Sequence, residues 1–205
     1  AKINHEYQIF NLDIKTLNKK NFFKVDTSKA NSIHKTINLI ERKYGPIHGS
    51  VNITFPKVLQ RKDPPKIDVK LFTAETISHI SSYLNTTQIL ADYFVKKKIK
   101  GKIINFDSIY GNFIPRFEIY KKTKMNLPLQ YVVSKNSILM ITKYFAKFYL
   151  KNKININCIS PGGIFDYQDK KFISNYSKHC ASGMLKSSDL NGLIFFLLSS
   201  ESNKI

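Results

Sequence analysis

The chain has 205 residues, of which 42% are hydrophobic, and a formal charge of +19. That length and apolar content fit one domain with its own core and exclude a disordered chain; no apolar run nears the ~20 residues of a bilayer span. The charge invites a nucleic-acid or anionic-membrane partner, but the lysines are scattered and the only arginines are Arg42, Arg61 and Arg116; base reading favours arginine, so no nucleic-acid and no membrane partner is expected.

Strand-like and helix-like stretches alternate along the chain. Tyr7 to Leu12 reads as a strand ending at Asp13, and Phe22 to Val25 as a second ending at Asp26. A helix follows from about Ala30 to Tyr44, capped by Thr27 or Ser28, with Ile33, Ile37 and Ile40 on one face. Gly45-Pro46 stops it. Ser50 to Ile53 is a short strand, and residues 56–70 are a charged, proline-rich loop. A long helix spans about Ala74 to Lys98, with Lys96-Lys97-Lys98 at its end, where cations suit the dipole. Ile103 to Phe106 is a buried strand, and residues 109–129 are an irregular insert. Tyr131 to about Asn152 is helical, and Ile154 to Ile159 is a strand broken by Pro161-Gly162-Gly163. A last helix covers about Ser188 to Leu198, capped by Ser187 or Ser188. This alternation predicts an α/β layered fold with a parallel sheet. No repeat, linker or second domain interrupts it.

The first ten residues alternate polar and apolar, so no signal peptide is expected. The two cysteines, Cys158 and Cys180, lack metal-ligand spacing and read as reduced cytoplasmic thiols; no metal site is expected.

Tyr131 and Lys135 stand four apart on a helix, which puts them on the same face. A phenol ionises near pH ~10. An ammonium beside it stabilises the phenolate and lowers that value. The pair can therefore act as a neutral-pH acid/base. Alone, this spacing is common in any lysine-rich helix.

Four segments give it context: Val51-Asn52 after a strand, Asp107-Ser108 after a strand, Tyr131-x-x-x-Lys135 on a helix, and Asn157-Cys158-Ile159-Ser160-Pro161-Gly162 ending a strand. Their order resembles the short-chain dehydrogenase/reductase family over nearly the whole chain, from about Phe22 to Ile205. Val51-Asn52-x-x-Phe55-Pro56, Ser108-Ile109-Tyr110-Gly111, the run Pro115 to Tyr120, the run Ser160 to Asp166, and Gly183-Met184-Leu185 look like the bacterial flagellin-modification subgroup. Its members are tied to making the sugars placed on flagellin.

The resemblance implies a three-layer, Rossmann-like, doubly wound parallel sheet lacking the first βα unit and the last strand, as a single partial domain over 1–205. It implies an NAD- or NADP-dependent oxidoreductase acting on a small molecule, a sugar or sugar-nucleotide alcohol or carbonyl. Tyr131 would be the acid/base. Lys135 would lower its pKa and bond the nicotinamide ribose, and Ser108 would bond the substrate oxygen. Asp26 would sit near the adenine and Asn52 beside the cofactor, while Pro161, Gly162 and Ile164 would wrap the nicotinamide. Asp13 could accept the ribose hydroxyls and favour NAD. Asp26 and Asn52 are equally readable as turn formers; Asp13 reads first as a turn residue, and Ser108, a strand-end turn residue by position alone, reads as functional given Tyr131 downstream. A homodimer or homotetramer would form through the long helix before the serine strand and the Tyr131 helix. In the second, Ile138, Ile141, Phe145, Phe148 and Tyr149 offer more apolar surface than one sheet face needs.

Three departures from the family pattern stand out. No glycine-rich phosphate loop precedes the first acid, since the earliest glycine is Gly45. The chain ends at Ile205, where the family continues. The usual asparagine on the helix before the serine strand is replaced, with His79 in its register and Asn85 nearby. The first two look like truncation at both ends, and they keep open a second reading: a non-catalytic relic without cofactor affinity.

Overall fold

A computed structural model describes residues 7–16, 18, 20–55 and 67–205. Two parallel sheets carry the fold. Strand β1 (Asn11–Asp13) pairs with β2 (Phe22–Lys24), and β3 (Gly49–Asn52), β4 (Lys102–Phe106) and β5 (Asn155–Ile159) form the second sheet in that order. All pairings are parallel. Among the described residues, β1 and β3 each keep one unpaired edge. In a doubly wound order the first strand of the fold lies between these two positions, and no described strand lies there. The described strands thus match the expected Rossmann-like sheet without its first βα unit.

Helices cover both faces. Helix α1 (Ala30–Tyr44) buries Ile33, Ile37 and Ile40, the stripe read from the sequence. Its first turn lacks the expected hydroxyl cap: Lys29 holds the cap position with no side-chain bond, and Ser28 is engaged with Asp26 instead. Gly45 ends the helix at φ 92°, a backbone conformation that suits glycine.

Helix α2 (Val69–Lys97) starts earlier than expected because the Asp68 carboxylate accepts from the Leu71 amide. The expected loop at 56–70 therefore already contains helix from Val69, and its residues 56–66, including Pro56, lie outside the described residues. Helix α3 (Leu129–Phe148) opens after Pro128. Above the α1–α3 face, Ile103, Ile156, Phe94, Phe145 and Tyr149 form one core with Val25, Ile33 and Ile37. On the other face, Ile104, Phe106 and Ile159 pack with Leu197. Period-2 alternation along β4 sends Ile103 to one layer and Ile104 to the other, and all five β4 residues are buried.

Helix α4 (Lys170–Ser177) has no counterpart in the sequence reading; Asp169 caps it by accepting from Lys171 and Phe172 amides. Helix α5 (Asn191–Leu198) supplies Leu197 to the second core, with Leu193 and Phe196 partly exposed. The residues expected to cap it form a 3-10 turn, Ser187–Leu190, in which Asp189 accepts from the Lys186 amide.

The β1–β2 sheet meets the rest through its helix. The Asn85 amide of α2 donates to the Ser28 carbonyl at 2.9 Å, and Glu41 of α1 pairs with Lys97 of α2. At the opposite end of the larger sheet, buried Lys102 donates to Asn155, Ser202 and Asn203.

Candidate active site

The C-terminal ends of β4 and β5 converge on the N-terminal half of α3. Directly after β4, Ser108 is buried and its hydroxyl oxygen accepts from the Tyr110 amide at 3.2 Å. That leaves its own O–H free to donate. The turn then closes at Gly111. A Cβ there would lie 2.9 Å from an Asp107 carboxylate oxygen and 3.0 Å from the Lys135 carbonyl. The Asn136 amide fastens α3 to this turn by donating to the Gly111 carbonyl at 2.8 Å. Only a glycine lets the serine turn approach α3 this closely.

Tyr131 approaches Ser108 from α3, and the hydroxyl beside it favours the phenolate. Burial outweighs it, so the phenol stands above its ordinary pKa. The Lys135 ammonium lies 5.8 Å from the Tyr131 ring centre and donates instead to the Phe106 carbonyl at 2.9 Å. Lys135 is 5% exposed, and burial brings its pKa down to about 8.

A buried polar chain continues behind the lysine. The Tyr83 hydroxyl lies 3.0 Å from the Phe106 carbonyl and 3.1 Å from the Thr54 carbonyl. His79 Nε2 lies 3.2 Å from that same Thr54 oxygen. Burial, reinforced by the Lys135 charge, lowers the His79 pKa to about 4, so the ring is neutral and Nε2 is the donor. His79 therefore occupies the wall behind Lys135, while Asn85 is committed to Ser28.

The Pro161–Ile164 loop faces this group. The Ile109 amide donates to the Pro161 carbonyl at 3.0 Å, and Ile164 bridges to Leu185. Tyr176 of α4 fixes its centre by accepting from the Gly163 amide at 2.8 Å. A Cβ on Gly162 would lie 3.0 Å from the Tyr176 hydroxyl, and one on Gly163 would lie 2.9 Å from its ring. The glycine pair thus does more than break a strand: it admits Tyr176. Sequence reasoning missed this residue, although Asp169, Phe172 and Tyr176 carry the cap and the i, i+4 aromatic pair of a short helix.

The other expected cofactor residues lie apart from the cluster. Asn52 is buried, donating to Asn105 at 2.7 Å and accepting from Ser50 at 2.7 Å. Asp26 accepts from the Ser28 amide and hydroxyl at 3.1 and 2.6 Å, and these bonds hold its carboxyl below the usual range. Asp13 accepts from the Lys15 amide at 2.8 Å. Asp26 and Asp13 make the local bonds of turn residues, whereas Asn52 bonds across the sheet to its β4 neighbour.

Tested against a dinucleotide, the two halves of the site differ. Ser108, Tyr131 and Lys135 meet at the end of β4, and the Pro161–Ile164 loop is bonded to the turn beside them through Ile109, the half of the site where a nicotinamide would be held. Among the described residues, no glycine-rich turn opens a helix where a pyrophosphate would be held.

A family described as enoyl-(acyl carrier protein) reductase matches residues 11–205. The chain is also 36% identical over 185 residues to the post-translational flagellin modification protein A of Campylobacter coli, covering 87% of this chain and 71% of that protein. The chain belongs to the short-chain dehydrogenase/reductase family. A short-chain dehydrogenase from Leptospira borgpetersenii serovar Hardjo-bovis, solved with bound NAD+, superposes with a TM-score of 0.83 at 29% identity. That match covers 95% of this chain and 76% of the other. A 4-hydroxyisoleucine dehydrogenase complexed with NADH shares the fold at 21% identity, with a TM-score of 0.75 over 95% of this chain and 80% of that one. This short-chain dehydrogenase/reductase is an oxidoreductase. Among its described residues no helix is long and apolar enough to cross a membrane.

Proposed function

We propose that this chain is an NAD(P)-dependent oxidoreductase that interconverts an alcohol and a carbonyl on a sugar or sugar-nucleotide, in the making of flagellin glycans. The observation that carries the reading is the meeting of Ser108, Tyr131 and Lys135 at the end of β4. A bound nicotinamide would supply or accept the hydride. Pro161, Gly162 and Ile164 would hold its ring, and Lys135 its ribose. Tyr131 is a neutral phenol at pH 7, suited to give a proton to a carbonyl oxygen. Ser108 would donate its free O–H to the same oxygen as charge develops there.

The flagellin-modification relative supports the sugar assignment. The cytoplasm, where reduced nicotinamide and free thiols coexist, is the matching compartment. A homodimer or homotetramer would use the exposed stripe Met140, Tyr144 and Phe148 on α3. Ile138, Phe145 and Tyr149, expected at that interface, are buried in the chain's own core instead. Light scattering that returns a monomer would remove the oligomer from the proposal.

The test is turnover of nicotinamide cofactor with a panel of sugar nucleotides, in the native chain and in Tyr131→Phe. The variant should fall by about 10²–10⁴-fold; equal turnover would overturn the mechanism. The second reading, a relic without cofactor affinity, draws on the missing phosphate turn among the described residues. Calorimetric titration with NADH separates the two, because micromolar binding is incompatible with the relic.

A further inference from the structure

Asp107 lies between Phe106, whose carbonyl holds the Lys135 ammonium, and Ser108. It is 3% exposed. One carboxylate oxygen has the Asn112 amide at 3.5 Å, the outer limit of a hydrogen bond; the other has no hydrogen-bond partner in the protein. An unpaired buried carboxylate is costly by several kcal/mol, and such a group calls for an explanation. None of the roles assigned above uses it.

The groups around it are mostly neutral. From α2 comes Tyr83, a phenol pushed up by burial, with the neutral imidazole of His79 beyond it on the Lys135 side. From β5 comes Cys158, a thiol pushed up to about 12 by burial and by Asp107 itself. The turn after β4 adds Tyr110, and α3 adds Tyr131 and Lys135. Lys135 is the one cation of this group. Its ammonium makes a single hydrogen bond, to Phe106, and no direct ion pair with Asp107.

We propose that the Asp107 carboxylate is the internal counter-charge of the Lys135 ammonium, and so a positioning residue for the Tyr131–Lys135 pair. Two opposite charges in one buried pocket each offset part of the other's burial cost. Asp107 keeps Lys135 protonated near neutral pH, where it must be a cation to stabilise a phenolate. The electrostatic pairing stands independently of the proposed reaction; its meaning for catalysis rests on that reading.

The test needs no turnover. The full chain is labelled with ¹³C at lysine Cε, the Lys135 signal is assigned through Lys135→Arg, and it is titrated from pH 6 to 11. Asp107→Asn should lower the Lys135 midpoint by about one unit or more. Asp107→Glu should restore most of it, and Asp166→Asn, on an exposed loop, should leave it unchanged. An unmoved Lys135 midpoint in folded Asp107→Asn overturns the proposal. Loss of turnover in Tyr131→Phe with no coupling between Asp107 and Lys135 would leave the enzyme reading standing and remove this one alone.

Discussion

Lys135 and Phe106 are joined by a hydrogen bond of 2.9 Å from the side-chain ammonium to the main-chain carbonyl. The carbonyl ends β4 and the lysine belongs to α3, so one bond ties sheet, helix and candidate chemistry together. It also holds a charge where burial disfavours it.

Lys135→Met should expose that conflict. The native pKa near 8 lies below the unfolded value of 10.5. Below pH 8 both states are charged and the burial penalty is fully present; stability should rise as pH climbs from about 8 to 10.5. Methionine removes that penalty but strands the buried Asp107 carboxylate. The variant should therefore gain nothing at pH 7 in urea denaturation, flatten the alkaline rise, and lose turnover.

His79 gives the opposite pH window. Its folded pKa near 4 lies below the unfolded 6.5. The unfolded chain binds the proton first, so stability should fall as pH drops from about 6.5 to 4, by up to about 3 kcal/mol. His79→Gln retains a donor for Thr54 and should flatten that acid limb, measured as the urea midpoint at pH 4.5 and 7.

Asn105 is fully buried and joins Asn52, Thr87 and Thr142. Asn105→Ala strands three buried polar partners. A loss of about 2–4 kcal/mol is expected in chemical denaturation; a loss under 1 kcal/mol would mean the network contributes little.

Gly101 packs against the Phe94 ring. A Cβ there would come within 2.0 Å of a ring carbon, and Phe94 is 0% exposed. Gly101→Ala should cost about 1–3 kcal/mol or more through overpacking, read as a lowered Tm.

Tyr176→Phe keeps the ring but removes the acceptor for the Gly163 amide. Hydrogen exchange at Gly163 should quicken by about tenfold, with β4 amides unchanged.

Much of this was legible in the sequence because it is local or periodic. The Ile33, Ile37, Ile40 stripe and the glycine stop of α1 follow from helical geometry. The order of Ser108, Tyr131, Lys135 and the Pro161-Gly162 turn carried the family. What was not legible depends on pairs distant in sequence. Nothing near Tyr131 says that burial will outweigh its neighbours, or that Lys135 will turn to a carbonyl 29 residues away. The partner of Gly163 stands on a short helix of polar composition, too brief for a periodic signal. The local bond of Asp26 to Ser28 and the cross-strand bond of Asn52 to Asn105 are visible only once geometry is known.

The split sheet has a consequence for how the chain opens. No strand pairing joins β1–β2 to β3–β5 among the described residues; helix packing, the Asn85–Ser28 bond and the Glu41–Lys97 pair do. What resists separation of the smaller sheet is therefore side-chain packing and not backbone pairing: no interstrand ladder would rupture, but Val25, Ile33 and Ile37 would have to leave the core they share with Ile103 and Phe94.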